Sequence, residues 1–172
     1  MPAFIRANIG QILPLLQQQL MAFTTFPIER VVMQKNSDLP ASLQADQILV
    51  ITPETENMIR PQIGSAGRKD ARVDRGVTVV LWSRLNLDVA WQDQSFLLDT
   101  TYGLIPFENL VVNSLLTWIP MDSGQNVLAM PTRCQMITPP TSRNADWGSE
   151  ALSVTYQYYR NVAQATIFPG AQ

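Results

Sequence analysis

The sequence contains no histidine and only one cysteine. Without histidine, the chain lacks the side chain that most often serves as a general base, a metal ligand or a pH switch. A single cysteine cannot form an intrachain disulfide, which excludes a secreted scaffold held together by disulfides. A thiol nucleophile needs a base beside it, so we expect Cys134 to be a small buried residue instead.

Charge and long apolar runs are also scarce. Charged residues make up 15% of the chain and the net charge is −2, which gives no overall reason to bind nucleic acid or an anionic membrane. No run approaches the roughly 18 apolar residues of a membrane-spanning helix. Residues 12–16 are followed by three glutamines, which break any signal-peptide core. We therefore expect a soluble protein made in a cytoplasm, with no membrane partner.

What is present fits one folded domain. A chain of 172 residues with 46% hydrophobic content can bury a sizeable core, and it shows no internal repeat. We treat residues 1–172 as a single domain, with residues 161–172 as a C-terminal tail or arm because they have no clear pattern.

Apolar residues recur at steps of three and four in two places, which predicts two amphipathic helices. The first covers the N-terminal 25 residues, with a kink or a late start near Pro14. The second begins near Pro106 and ends before Pro120. A shorter helix is predicted over residues 93–101.

Strand patterns occupy residues 30–34, 47–52, 76–85, 127–137 and 151–159. Strands and helices in separate runs predict an α+β fold, with a mainly antiparallel sheet of four to five strands and helices packed on one face. The strand at 76–85 is apolar on both faces, so we expect it to be central. We expect its second face to be buried as well, and a neighbouring subunit is one candidate for covering it. Pro131 predicts an edge strand or a bulge.

Residues 53–75 predict a long basic loop or a hairpin extension, since they combine prolines, glycines and charges without a period. Residues 60–75 contain five basic residues and only two acidic ones. The basic residues are Arg60, Arg68, Lys69, Arg72 and Arg75. The stretch could contact an acidic partner subunit, lie close to DNA, or be exposed to solvent. It contains no aromatic residue to stack on bases, which argues against a dedicated nucleic-acid reader.

No catalytic, metal-binding or cofactor-binding residues emerge from the motifs. Residues 64–69 lack the spacing of a phosphate-binding loop. Asp122, Gly124 and Asn126 resemble part of a calcium loop, but the glycine comes too early and no glutamate completes it, which favours a hairpin turn. We expect no enzyme and no cofactor. A small hydrolase that uses Ser–Lys or carboxylates remains an alternative.

Tryptophans and arginines supply the candidate contact residues. Trp82 and Trp118 fit buried stripes, whereas Trp91 and Trp147 lie in predicted loops, where tryptophan can anchor an interface. The candidate subunit-interface or partner-contact residues are Arg60, Arg68, Lys69, Arg72, Arg75, Trp82, Arg84, Trp91 and Trp147.

Several stretches together resemble one protein family. They are FPIERVV at 26–32, RGVTVVLWSR at 75–84, GQNVLAMPTR at 124–133, and DWG at 146–148 ahead of the strand at 152–158. In this combination, spread over residues 3–160, the chain resembles the tail-terminator (neck, or head–tail joining) proteins of long-tailed bacteriophages.

The resemblance implies a structural virion protein at the phage neck, assembled in the host cytoplasm. Such proteins form a hexameric ring that terminates the tail tube and joins it to the head connector. The implied partners are further copies of the chain, the tube and the connector, with genomic DNA passing through the ring without sequence-specific binding. The family has no catalytic residues to carry over. A head-completion adaptor, a tube subunit or a non-viral protein-binding module remain alternatives.

Overall fold

The computed structural model describes residues 6–22, 30–40, 45, 47–59, 70–84, 104–141 and 146–161. This part of the chain has two α-helices and one five-stranded sheet, so the predicted α+β fold is confirmed. The elements in chain order are α1 (Ile9–Met21), β1 (Arg30–Met33), β2 (Gln47–Ile59), β3 (Asp70–Arg84), α2 (Leu104–Thr117), β4 (Met130–Ile137) and β5 (Trp147–Asn161). The helix predicted over 93–101 lies outside the described residues.

The strands lie in the order β1-β2-β3-β5-β4. Neighbours are antiparallel except for β1 and β2, which run parallel, so the sheet is mixed. A parallel pair needs a crossover of about a dozen residues, and the connection between β1 and β2 has that length. The longest strands, β3 and β5, pair along their whole lengths at the centre of the sheet.

Helix α1 begins at a capping box. The Asn8 side chain accepts a hydrogen bond from the Gln11 amide at 3.2 Å, and the Gln11 side chain accepts one from the Asn8 amide at 3.0 Å. The Gln11 side chain thereby satisfies the Asn8 amide, while the Asn8 side chain adds to the bond that the Gln11 amide donates to the Asn8 carbonyl at 3.0 Å. Of the two outcomes predicted near Pro14, a kink or a late start, the late start is wrong, because the helix begins at Ile9 and Pro14 lies inside it.

Both helices pack on the same face of the sheet. Helix α1 buries Ile12, Leu16 and Leu20, and α2 buries Val111 and Leu115, all in one cluster with side chains from β1, β2, β3 and β5. The helices also contact each other, since the Gln19 side chain donates to the Ser114 hydroxyl at 3.1 Å. In the described part of the chain, neither helix is long and apolar enough to cross a membrane.

The second face of the sheet carries a smaller apolar cluster around Val80 and Trp82. Trp82 is 1% exposed, and its indole N–H donates to the Ser37 carbonyl at 3.2 Å. Leu39 and Ala45, from the segment before β2, help to cover the cluster. The second face of β3 is buried as expected, but the cover comes from the same chain, so a neighbouring subunit is not needed there.

Residues 53–59 and 70–75 belong to strands. They extend β2 and β3 beyond the predicted limits, pair with each other, and pair further with the end of β5. Of the two alternatives predicted for 53–75, the antiparallel pairing of these two stretches agrees with the hairpin extension and not with the loop, and with β5 they form a three-stranded extension of the main sheet. Residues 60–69 between them, and the predicted tail after Asn161, lie outside the described residues.

Candidate functional site: the edges and extension of the sheet

One edge of the sheet is formed by β1, which is only four residues long. Its Val31 carbonyl accepts a hydrogen bond from the Gln17 side chain of α1 at 2.8 Å. Because a helix side chain occupies this backbone acceptor, the β1 edge is partly protected against pairing with another strand.

Beyond β1, the outer edge of β2 has no strand neighbour among the described residues. Strand β1 stops opposite Ile51, while β2 continues to Ile59. A bulge shifts the register between Pro53 and Glu56, after which regular pairing with β3 resumes. Met58 lies in this outer stretch and is 57% exposed.

The opposite edge of the sheet is β4. The prediction from Pro131 is confirmed, because β4 is the edge strand and its pairing with β5 is irregular between Pro131 and Arg133. Arg133 is exposed, and Met136 is 45% exposed. In the part of the chain that the structure describes, β4 pairs with β5 alone.

The extension is held together by a charged cluster around Glu56. Its carboxylate accepts hydrogen bonds from the Tyr158 hydroxyl at 3.0 Å and from Arg160 Nη1 at 3.1 Å, and Arg75 Nη1 lies 3.8 Å away. Burial, together with the adjacent carboxylate, raises the pKa of Tyr158 to about 12. Three strands are therefore joined by one glutamate.

On the second face, Glu54 makes a similar bridge. Its Oε1 accepts hydrogen bonds from the Thr78 hydroxyl at 2.6 Å and the Ser153 hydroxyl at 2.7 Å. The side chain thus reaches from β2 across β3 to β5, and Gly76 of β3 leaves the space that it crosses.

A Gly76→Ala substitution should destabilise the protein. The added Cβ would lie 2.6 Å from Glu54 Cδ, so the glutamate must move and leave two buried hydroxyls without their acceptor. We expect the free energy of unfolding to fall by about 1–3 kcal/mol in urea titrations. In a Glu54→Ala background, where only the Cβ contact at 3.2 Å remains, the same substitution should cost much less, and an equal loss in both backgrounds would contradict the proposed clash.

The candidate contact residues separate into different environments. Arg72 is exposed and pairs with Asp74 at 3.3 Å. Arg75 donates to the Glu54 carbonyl at 2.9 Å and has a side chain 20% exposed, so it serves mainly to hold the extension together. Arg84 is exposed at the end of β3.

The tryptophan candidates are less available than expected. Trp82 is a core residue at 1% exposure, and its assignment as an interface candidate is corrected here. Trp147 begins β5 instead of lying in a loop, and it packs half-buried against the second cluster. The remaining candidates lie outside the described residues: Arg60, Arg68, Lys69 and Trp91.

Two glutamates come together at a small cavity beneath α2. Burial and the nearby Glu108 carboxylate both raise the pKa of Glu150. The cavity that they line measures about 10 Å³, which is close to the minimum for a single water. This site therefore has no space for a substrate. Across the described ranges, no group of three or more metal-ligating side chains is assembled.

Cys134 is half-buried at the margin of the main cluster, close to Tyr156. Burial raises the pKa of the Cys134 thiol, which keeps the thiol protonated and a poor nucleophile. The expected small apolar role agrees with this position, although the side chain is less completely buried than predicted.

The predicted turn at 122–126 is confirmed. The Asp122 carboxylate accepts from the backbone N–H groups of Gly124 and Asn126 at 2.9 and 2.8 Å, and also from the Asn126 side chain. These bonds lower the pKa of Asp122. Gln125 has a positive φ of 61°, as one position of a tight turn often requires.

A shallow groove separates α1 from the residues that follow α2. It has a volume of about 300 Å³ and is lined by Leu15, Gln18, Gln19, Trp118, Ile119 and Met121. Nearby, Leu116 is 52% exposed. The helix side of the protein therefore presents apolar surface of its own.

Sequence patterns did not single out the exposed methionines of the two sheet edges. The only available signal was Pro131, which marks one edge but not the residue exposed there. The chain matches no protein-family model, and no curated protein sequence matches it.

Proposed function

We propose that this protein is a structural virion subunit that forms a ring at the neck of a tailed bacteriophage, where it terminates the tail tube and joins it to the head connector. The observation that carries the proposal is the combined resemblance of residues 26–32, 75–84, 124–133 and 146–158 to tail-terminator proteins.

The form of the subunit supports a mechanical role. Among the described residues, the sheet ends in β4 on one side and in β1, continued by the outer stretch of β2, on the other, and β4 and this stretch each carry an exposed methionine. A sheet whose two edges differ can join copies head to tail, and such contacts generate a closed ring when the rotation between copies closes.

The ring we propose is a hexamer that contacts the tail tube on one side and the connector on the other. DNA passes through it without sequence-specific contacts, which is consistent with the low net charge of the chain. Four glutamates could in principle take part in catalysis. Glu54 and Glu56 bridge strands instead, and Glu108 and Glu150 border a cavity too small for a substrate.

Imaging the purified protein by negative-stain electron microscopy tests this proposal. We expect closed rings of uniform diameter across a range of protein concentrations. Open-ended tubes would favour a tube subunit instead, since a subunit that terminates a tube must not polymerise without limit. Monomers at the highest accessible concentration would contradict the proposal.

A further inference from the structure

We propose that the C-terminal segment of this chain, residues 162–172, docks in the groove between α1 and the residues that follow α2, with Phe168 as its anchor. The segment would thereby cover apolar surface of its own subunit. This inference does not depend on the proposed ring, because it concerns a contact within one chain.

The groove has the character of a site for an apolar side chain. Its volume of about 300 Å³ lies at the lower end of the range for pockets that hold small ligands. Two glutamines line it, but no charged residue does. Trp118, which is half-buried, lines the groove and also meets Tyr156 edge to face at 6.3 Å between ring centroids. Aromatic rings pair favourably with other aromatic rings, so a phenylalanine suits this lining.

The C-terminal segment has the matching composition. Residues 162–172 contain no charged side chain and include the consecutive residues Ile167, Phe168 and Pro169. Such a segment can enter an apolar groove without the cost of desolvating a charge. A proline also restricts the residue before it to extended conformations, which biases Phe168 toward the form in which a short segment can lie along a groove.

The end of β5 lies close enough to the groove for this contact. The Tyr159 carbonyl accepts a hydrogen bond from the Ala7 amide at 2.9 Å, so β5 ends beside the start of α1. Leu15, at the nearer end of the groove, comes six positions after the first residue of α1, about 9 Å along the helix. The seven residues 162–168 span up to about 23 Å when extended, so Phe168 can reach Leu15.

Other segments outside the described residues fit the groove less well. Residues 23–29, 60–69 and 85–103 all contain charged residues, and each is attached to the sheet or a helix at both ends. Residues 1–5 are uncharged and include Phe4, which makes them the natural comparison for the C-terminal segment.

The reactivity of a single thiol in the groove provides the first test. In a Cys134→Ala background, Gln18→Cys places a thiol at an exposed position that lines the groove. Phe168→Asp should raise the rate at which this thiol reacts with N-ethylmaleimide at least about tenfold, because a charge opposes docking of the segment. Phe168→Leu, which stays apolar, should retain most of the protection.

Two controls make this result specific. A thiol introduced by Asn113→Cys is exposed on α2 outside the groove lining, and its rate should not respond to Phe168→Asp. Phe4→Asp introduces the same charge into residues 1–5 and should leave the rate of the Gln18→Cys thiol unchanged. Equal rates with Phe168 and Phe168→Asp would overturn the inference, and an increase with Phe4→Asp alone would assign the groove to the N-terminal segment instead.

Cross-linking tests whether the segment belongs to the same chain. In the Cys134→Ala background, Gln18→Cys and Thr166→Cys treated with a short bismaleimide should give a product with the mass of one chain and one linker, measured by intact mass spectrometry. A product with the mass of two chains would overturn the contact within one subunit and assign the groove to the segment of another copy. Absence of any cross-link would overturn the docking itself, while rings seen by imaging would leave the proposed function intact.

Discussion

Trp82→Ala should reduce the free energy of unfolding by about 3–5 kcal/mol, the cost of removing a large buried aromatic side chain. Trp82 is 1% exposed and packs among Ile48, Val50, Val80 and Ala151 on the second face of the sheet. The substitution also removes the hydrogen bond to the Ser37 carbonyl. A typical domain is stable by 5–15 kcal/mol in total, so the loss would be severe.

Protein concentration makes this experiment informative about assembly. If the chain itself covers Trp82, the loss measured by urea unfolding should be the same at low and high concentration. If a neighbouring subunit supplied the cover, the loss would vanish under conditions where subunits are dissociated. Leu116→Ala is the control, and at this exposed position we expect a change within about 0.5 kcal/mol.

The same substitution at two neighbouring tyrosines of β5 should have opposite effects. The Tyr156 hydroxyl is buried without a hydrogen-bond partner among the described residues, whereas the Tyr158 hydroxyl donates to Glu56 at 3.0 Å. Tyr156→Phe removes an unsatisfied polar group and should raise the free energy of unfolding by about 1 kcal/mol or more. Tyr158→Phe removes a bond to a charged acceptor and should lower it by about 1.5–3 kcal/mol.

These two variants control for each other. Both side chains are fully buried in the main cluster, and both changes remove only one oxygen atom. Tyr156 also keeps its edge-to-face contact with Trp118, at 6.3 Å between ring centroids, when the hydroxyl is removed. Equal losses of stability in the two variants, measured by urea unfolding, would show that the Tyr156 hydroxyl has a partner.

The regular parts of the fold could be predicted from local patterns. The alternation around Val77, Val79 and Leu81 identified the central strand, and the spacing of Ile12, Leu16 and Leu20 identified the buried face of α1. These patterns are visible in sequence because each residue's direction follows from its position along one element.

The extension could not be predicted in the same way. The bulge after Pro53 shifts the alternation of β2, so the period of two is lost there. Its stability depends on Glu56 bonding to Tyr158, a contact between residues 102 positions apart. Charged residues that the sequence pattern suggested were exposed to solvent therefore form contacts between strands.

The order of the strands in the sheet could not be predicted from the sequence either. Nothing local indicates that β5 lies between β3 and β4, or that β1 runs parallel to β2. The edges of the sheet follow from this order, so the candidate assembly site could not be located before the topology was known. Trp82 illustrates the difficulty, since the alternation predicted its buried stripe but not the segment before β2 that covers it.

Native mass spectrometry of the purified chain tests the central proposal most directly, because it counts subunits. We expect one closed oligomer, with the mass of a hexamer of 19.3 kDa subunits, and few intermediates. A protein that remains monomeric at high concentration, or one that forms an unbroken series of ever larger oligomers, would contradict the account.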